Sequence, residues 1–266
     1  MSLRLDLSDA PLPAKTVWWK SCFEEGYRRQ HPQPVRTRVA AMSDILCLEP
    51  RSRILDLSCG LGQETIALAR LGHRVLGVDE TEECLREARA ESRGTSLFCH
   101  FVKGEMRNIP YSGEFDAVVV RHPAIGRFPR ERDDLRSLEG IRKALKPNGR
   151  LLMKLVNREW VIRHLPLAGA EAGLSFDFTT GRLERSGALG AQGPTSIRLY
   201  SLTEVLRLLD AAGLSVQHAW GRLDRTPYSL DTFHMVILAQ RPRDVPPPKS
   251  DDEGLESALK IKGRGH

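Results

Sequence analysis

From Val35 onward the apolar positions follow two periods in turn. Arg53–Leu57 (RILDL), Arg74–Val78 (RVLGV), Leu97–Lys103, Phe115–Val120 and Arg150–Val156 are short apolar or alternating runs that predict strands. Between most of them the spacing becomes helical: Val35–Leu48 ahead of Pro50, Gln63–Leu71 closed by Gly72, Thr81–Ser92, and Leu135–Leu145. Ala117–Val120 is uninterrupted and apolar, as suits a central parallel strand buried on both faces. Strands alternating with helices imply an open, parallel, right-handed sheet of the α/β class.

The C-terminal part breaks that alternation. A helix over Leu202–Ala212 stops at Gly213, and the strands Ser215–Trp220 and Phe233–Gln240 follow with only GRLDRTPYSLD between them. Two consecutive strands without a helix between them should pair antiparallel. The Gly-rich stretch between Leu165 and Arg198 reads as an inserted small sheet or lid. The chain therefore divides into a lead-in (1–34, with a helix around Trp18–Arg29), a main domain (35–241, insertion about 166–197) and a tail (242–266) expected to be disordered.

Composition narrows the classes. With 41% hydrophobic and 28% charged residues, the 266-residue chain is neither a disordered segment nor a coiled coil. Forty Lys and Arg against 34 Asp and Glu leave a net charge of +6, a mild excess. Arg121–Arg150 holds nine basic and four acidic residues, but the signs interleave, which favours a solvated helix face over a phosphate-binding stripe and argues against a nucleic-acid partner. No apolar run approaches the ~18 residues of a membrane span, and MSLRLDLSDAPLPAK lacks a signal-peptide core. Cys22, Cys47, Cys59, Cys84 and Cys99 form no C-x-x-C pair and read as reduced thiols of a cytoplasmic protein. The oligomeric state is left open.

The chemistry concentrates in ILDLSCGLGQETIALARLGHRVLGVDE. A strand ends at Asp56, the chain turns through Ser58-Cys59-Gly60-Leu61-Gly62, and a helix begins. Glycines there admit a ligand to the backbone, and the helix N-terminus offers free N–H groups. Asp79, 17 residues beyond Gly62 at the end of the next strand, can accept both hydroxyl hydrogens of a ribose. The dinucleotide fingerprint lacks its third glycine, since Thr65 stands there, and no Gly-Lys-Ser/Thr makes a P-loop. Alone, the glycines could make a tight turn, Cys59 a small buried loop residue, Met106 core filler and Asp116 a strand start.

From Val35 to Arg241 the sequence resembles the class I S-adenosylmethionine-dependent methyltransferases of the small-molecule type. LDLSCGLG is similar to their glycine loop, GVDE to their second acidic motif, and KGEMRNIPYSGEFDAVVV to their D-M-R-x-L-P segment with the F-D strand. IRKALKPNGRLLM is similar to their L-K-P-G-G-x-L-L run and IRLYSLTEVLRLLDAAGL to their late helix. The resemblance implies a Rossmann-like, mostly parallel seven-stranded sheet with an antiparallel last strand and a small inserted lid. It implies S-adenosyl-L-methionine as cofactor, with S-adenosyl-L-homocysteine as product.

Carried over by position, Gly60 and Gly62 line the methionine portion with Asp56 near its amino group. Asp79 holds the ribose with Glu80 flanking it, Glu105 accepts from the adenine amino group, Met106 covers the ring, and Arg121 lies near the methyl. Ser58 replaces a usual glycine and Glu105 a usual Asp. Arg36 or Arg38 could reach the cofactor carboxylate. His122, after the fourth strand, is the candidate general base, its plain alternative being a pocket-lining loop residue. Trp18, Trp19, Tyr27, Asn157–Trp160 and the insertion Gly169–Ile197 would close over the acceptor. Arg121-His122-Pro123-Ala124 is not an N-P-P-Y/F signature, and no catalytic cysteine motif is present, so adenine or glutamine N-methylation and pyrimidine C5-methylation are disfavoured. The expected activity is methyl transfer to an oxygen or nitrogen of a small molecule, with no membrane partner and no metal. The alternatives are an RNA or protein methyltransferase, or a non-catalytic cofactor-binding module.

Overall fold

The computed structural model describes residues 34–121, 124–168, 174–185 and 195–243. The lead-in with Trp18, Trp19 and Tyr27, the candidate base His122, parts of the insertion, and the tail from 244 onward lie outside them.

The element order is α1 (Val35–Leu46), β1 (Arg53–Leu57), α2 (Gln63–Arg70), β2 (Arg74–Asp79), α3 (Glu82–Ser92), β3 (Cys99–Lys103), β4 (Phe115–Arg121), α4 (Glu131–Ala144) and β5 (Leu145–Val156). It continues with α5 (Arg158–Ala168), β6 (Leu174–Asp177), β7 (Arg182–Arg185), β8 (Thr195–Arg198), α6 (Leu202–Ala211), β9 (Ser215–Trp220) and β10 (His234–Gln240). Seven strands form one sheet in the order β3-β2-β1-β4-β5-β10-β9. β1 pairs parallel with both β2 and β4, whereas β10 runs antiparallel to both β5 and β9. The expected mixed sheet with its terminal antiparallel pair is therefore present. The chain runs outward from β1 to β3 and then returns to β4 on the other side of β1. The crevice at the carboxyl ends of β1 and β4 is thus the switch point at which such sheets take ligands.

Alternation along the strands builds two cores. Val118 and Val120 join Leu138, Ile141, Leu208 and Leu209 of α4 and α6, while Ala117 and Val119 face Val39, Met42, Ile45 and Leu68 of α1 and α2. α4 starts at Glu131, four residues before the apolar pattern does, because Glu131, Asp133 and Asp134 in its first turn and Arg142 and Lys143 in its last oppose the helix dipole. α6 opens with a reciprocal cap between Ser201 and Glu204. β5 begins at Leu145 rather than Arg150, with a register shift against β4 that takes up Pro147-Asn148-Gly149.

Helix α5 has no counterpart among the predicted elements. Asn157 caps it, its Oδ1 accepting the N–H groups of Glu159 (3.0 Å) and Trp160 (3.3 Å) while its Nδ2 donates to the carbonyls of Ser229 and Thr232. Strands β6-β7-β8 make an antiparallel sheet between α5 and α6 in sequence. It covers a satellite core of Val161, Leu174, Leu183, Ile197, Leu199 and Phe233.

The central role of β10 gives a direct test. Ile237 is fully buried and Leu230 is exposed, so Ile237→Ala should lower urea stability by roughly 3 kcal/mol and Leu230→Ala by no more than about 0.5 kcal/mol.

Candidate functional site

The turn after β1 is built from left-handed residues, with Ser58 at φ 57°, Gly60 at 55° and Gly62 at 70°. The two glycines are there for different reasons. A Cβ on Gly62 would stand 2.5 Å from the Phe101 ring, so this glycine lets α2 pack closely on β3; around Gly60 nothing lies within 4 Å of such an atom. Ser58 pays the steric cost of the left-handed region that a glycine would avoid, and its hydroxyl points at the Met106 sulfur, 3.7 Å away. Met106 is itself buried in the main core.

Asp79 ties this turn to the next one. Its two carboxylate oxygens accept the N–H groups of Gly60 and Thr81, each at 2.9 Å. Every carboxylate oxygen keeps a further acceptor position, so the tie leaves Asp79 able to take ligand hydroxyls. Glu80, beside it, accepts from Arg127 through Oε2, while its Oε1 is shielded from solvent and has no partner among the described residues. Glu105 is engaged by Arg107, and the Phe128 ring lies under both guanidiniums, 4.5 Å from Arg107 and 5.1 Å from Arg127.

Asp56 is completely buried. Its Oδ2 accepts from the Thr65 hydroxyl at 2.6 Å and its Oδ1 has no partner among the described residues. Burial pushes its pKa up to about 6, against the opposing pull of Arg121 and Thr65. Next to it Glu64, 3% exposed, receives Arg38 through Nε (3.1 Å) and Nη2 (2.6 Å) and also Arg121. Burial alone would raise the Glu64 pKa; the two guanidiniums hold it below the usual carboxylate range. Among the described residues no group of three or more His, Cys, Asp or Glu side chains could hold a metal, and no helix is long and apolar enough to cross a membrane.

Residues 54–149, the span holding this turn and both acidic positions, match the family described as a methyltransferase domain. Structural likeness fixes the architecture over a longer span. The CcbJ methyltransferase of Streptomyces caelestis aligns with a TM-score of 0.65 at 16% identity, over 79% of this chain and 96% of that one. An S-adenosylmethionine-dependent methyltransferase of Clostridium acetobutylicum also gives 0.65, at 14% identity, over 83% and 98%. Residues 54–149 therefore carry a methyltransferase domain, and the chain has the fold of S-adenosylmethionine-dependent methyltransferases.

Relatives in sequence match over different shares of their length. YqeM of Bacillus subtilis is 35% identical over 106 residues, 40% of this chain and 42% of that protein. The cypemycin N-terminal methyltransferase of a Streptomyces species is 25% identical over 209 residues, 71% of this chain and 82% of that one. The ubiquinone biosynthesis O-methyltransferase of Bradyrhizobium diazoefficiens is 31% identical over 124 residues, 45% and 46%. The chain thus spans less than half the length of YqeM and of the ubiquinone enzyme.

Within this methyltransferase domain the structure brings Asp56, Ser58, Gly60, Gly62, Asp79, Glu80 and Arg121 together at the ends of β1, β2 and β4. Arg38 is committed to Glu64. Asp116, at the start of β4, accepts from the Arg53 N–H and from Lys146, far along the strand from the switch point, so it is structural. Cys59 is buried, and burial raises its thiol pKa, the opposite of nucleophile activation. Glu64 and Thr65 were not singled out from sequence. Their signal was present, since an acid and a hydroxyl in the first turn of the helix after a glycine loop sit where they can meet a strand-end aspartate.

The environment of Asp56 sets a pH dependence. Its folded pKa lies above the unfolded value, so the folded state holds the proton more tightly. The resulting stability is complete below about pH 4 and is lost as pH rises through about 6. Asp56→Asn removes this dependence, and the wild type should lose about 3 kcal/mol relative to the variant between pH 4 and pH 7.5, as measured by denaturant titration at each pH.

Proposed function

We propose that this chain transfers the methyl group of S-adenosylmethionine to an oxygen or nitrogen of a small-molecule acceptor. The observation that carries the reading is the pair of shielded carboxylate oxygens, Asp56 Oδ1 and Glu80 Oε1, which have no partner among the described residues and belong to the ends of β1 and β2, the two strands joined through the open turn at Gly60. Buried acceptors without donors are rare and costly. A ligand with an ammonium at one end and ribose hydroxyls at the other supplies those donors.

In this reading Gly60 and Gly62 line the methionine portion, with Asp56 facing its ammonium. Asp79 takes the ribose hydroxyls with Glu80 beside it, and Glu105 and Met106 serve the adenine. Arg121 lies near the reacting end, held by Glu64. The cofactor, when bound, supplies an electrophilic methyl on a sulfonium. This chain's residues then orient the acceptor and exclude water from the crevice. The carboxylates around the glycine turn favour a cationic ligand over a neutral one, and His122 is the group proposed to take a proton from the acceptor. Residues 35–241 would form the catalytic domain, with the lead-in, Asn157–Trp160 and the 166–197 insertion around the acceptor, in a cytoplasmic setting.

The engagement of the basic residues supports a small-molecule acceptor over RNA. Of the nine basic residues in Arg121–Arg150, five bond to other groups of the chain. Arg121 is on Glu64, Arg127 on Glu80 and Lys146 on Asp116, while Arg142 and Arg150 donate to the carbonyls of Gly213 and Leu46. The matched O-methyltransferase and N-terminal methyltransferase also fit transfer to oxygen or nitrogen.

Calorimetric titration with S-adenosylmethionine and S-adenosylhomocysteine tests the reading. Micromolar binding is expected. Asp79→Asn keeps an acceptor but loses the charge, and should weaken binding roughly tenfold. A wild-type protein that binds neither compound sinks the proposal. RNA binding, measured across a salt series, should be negligible; a steep slope would move the acceptor to nucleic acid.

A further inference from the structure

The short segment Ala124–Phe128 after β4 is held by the next helix and by strands far from it in sequence. Gly126 donates its N–H to Asp134 Oδ1 at 2.8 Å, and its carbonyl accepts the Arg198 N–H at 2.8 Å. Its φ is 94°, and a Cβ would stand 2.1 Å from the Arg198 carbonyl oxygen, so only glycine fits this crossing. The Phe128 carbonyl accepts from Arg182 at 3.3 Å. Strands β7 and β8 of the inserted sheet thus grip the segment through its backbone.

Asp134 closes the clamp. It is 1% exposed on the first turn of α4, and its Oδ2 accepts from the Tyr200 hydroxyl at 2.6 Å. Tyr200 is itself buried, two residues after β8, under the Arg198 guanidinium at 4.5 Å. The same segment reaches the end of β2, because Arg127 holds Glu80 Oε2 and so fixes where Oε1, without a partner among the described residues, stands.

We propose that Asp134 and Tyr200 are positioning residues that, through the Gly126 crossing and Arg127, set the Glu80 carboxylate and thereby couple the inserted sheet to cofactor affinity. The proposal rests on the reading of Glu80 as a cofactor neighbour. Neither residue touches the cofactor; each acts through Arg127. Loosening the crossing lets Arg127 wander, Glu80 loses its orientation, and the ligand hydroxyl meets a carboxylate that must first be ordered.

A double-mutant cycle on S-adenosylhomocysteine affinity tests the link. Tyr200→Phe should weaken binding about threefold, the loss of one hydrogen bond in an ordering chain, and Arg127→Ala about tenfold. The double variant should bind no worse than Arg127→Ala alone, because the route is already cut. Asp134→Asn can still accept from Gly126 and can donate to the Tyr200 oxygen, so it should rescue the affinity that Asp134→Ala loses. Losses that multiply in the double variant, or wild-type affinity in Tyr200→Phe, would overturn the coupling.

Hydrogen exchange of the 124–130 peptide, followed without ligand, separates this inference from the reading beneath it. Faster exchange in Tyr200→Phe supports the clamp, and unchanged exchange overturns it. A wild type that binds no S-adenosylhomocysteine overturns the cofactor reading, whatever the exchange shows.

Discussion

The site depends on how the fold handles charge at the end of β1. Asp56 and Glu64 are both buried at the switch point, and two bare carboxylates there would repel each other and cost several kcal/mol in lost hydration. Their charges are settled in different ways. Glu64 is kept ionised by Arg38 from α1 and Arg121 from the end of β4, which pins the first helix and the fourth strand to the same atom. Asp56 is left with one hydroxyl donor and a raised pKa. The result is a crevice whose walls are fixed by one fully compensated acid while the neighbouring acid stays undercompensated. That residual demand for positive charge is what a sulfonium or an ammonium can answer.

Much of this was legible in the sequence because the signals are local. The strand–glycine turn–helix unit, the acid at the end of β2 and the apolar β4 are contiguous patterns, and each lies where it was expected. The antiparallel β9–β10 pair followed from one missing helix. What was not legible depends on partners distant in sequence. Helix α5 exists because Asn157 is satisfied by a loop more than 70 residues later. α4 starts early because of its charges, which an apolar pattern does not register. Ser58 could be marked as a departure from the resembled glycine, but only the backbone shows that it occupies the left-handed region and turns its hydroxyl toward Met106.

The glycines make the same point in finer detail. Gly60 and Gly62 are indistinguishable in a G-x-G string, yet one opens space and the other fills it with the Phe101 ring. Gly126 belongs to no motif, although the Arg198 carbonyl passes closer to it than any side chain would allow. A glycine's role is set by what crosses it, and crossing strands are remote in sequence by construction. Thr65 likewise reads as the residue that spoils a dinucleotide fingerprint. In the structure it gives Asp56 its only protein donor among the described residues. The missing third glycine is therefore part of the site's electrostatics as well as a departure from another family's motif.

That placement of Thr65 bears on why one turn geometry serves this cofactor rather than a dinucleotide. A third glycine would let the helix approach a pyrophosphate, an anion that favours bare N–H groups and no nearby carboxylate. Here the corresponding turn of α2 carries a hydroxyl bonded to a buried aspartate, and the preceding residue is a buried glutamate. An anion set against that helix end would meet Asp56 and Glu64 at close range, with their compensating guanidiniums already engaged. A cation meets the reverse. Burial opposes the ionisation of Asp56 in the free protein, and a positive charge beside it would favour it, which in the proposed reading links binding and proton release at the same carboxylate. In the reading proposed above, selectivity for a positively charged cofactor is a property of the strand end and the first helical turn, set before any residue of the acceptor pocket is considered.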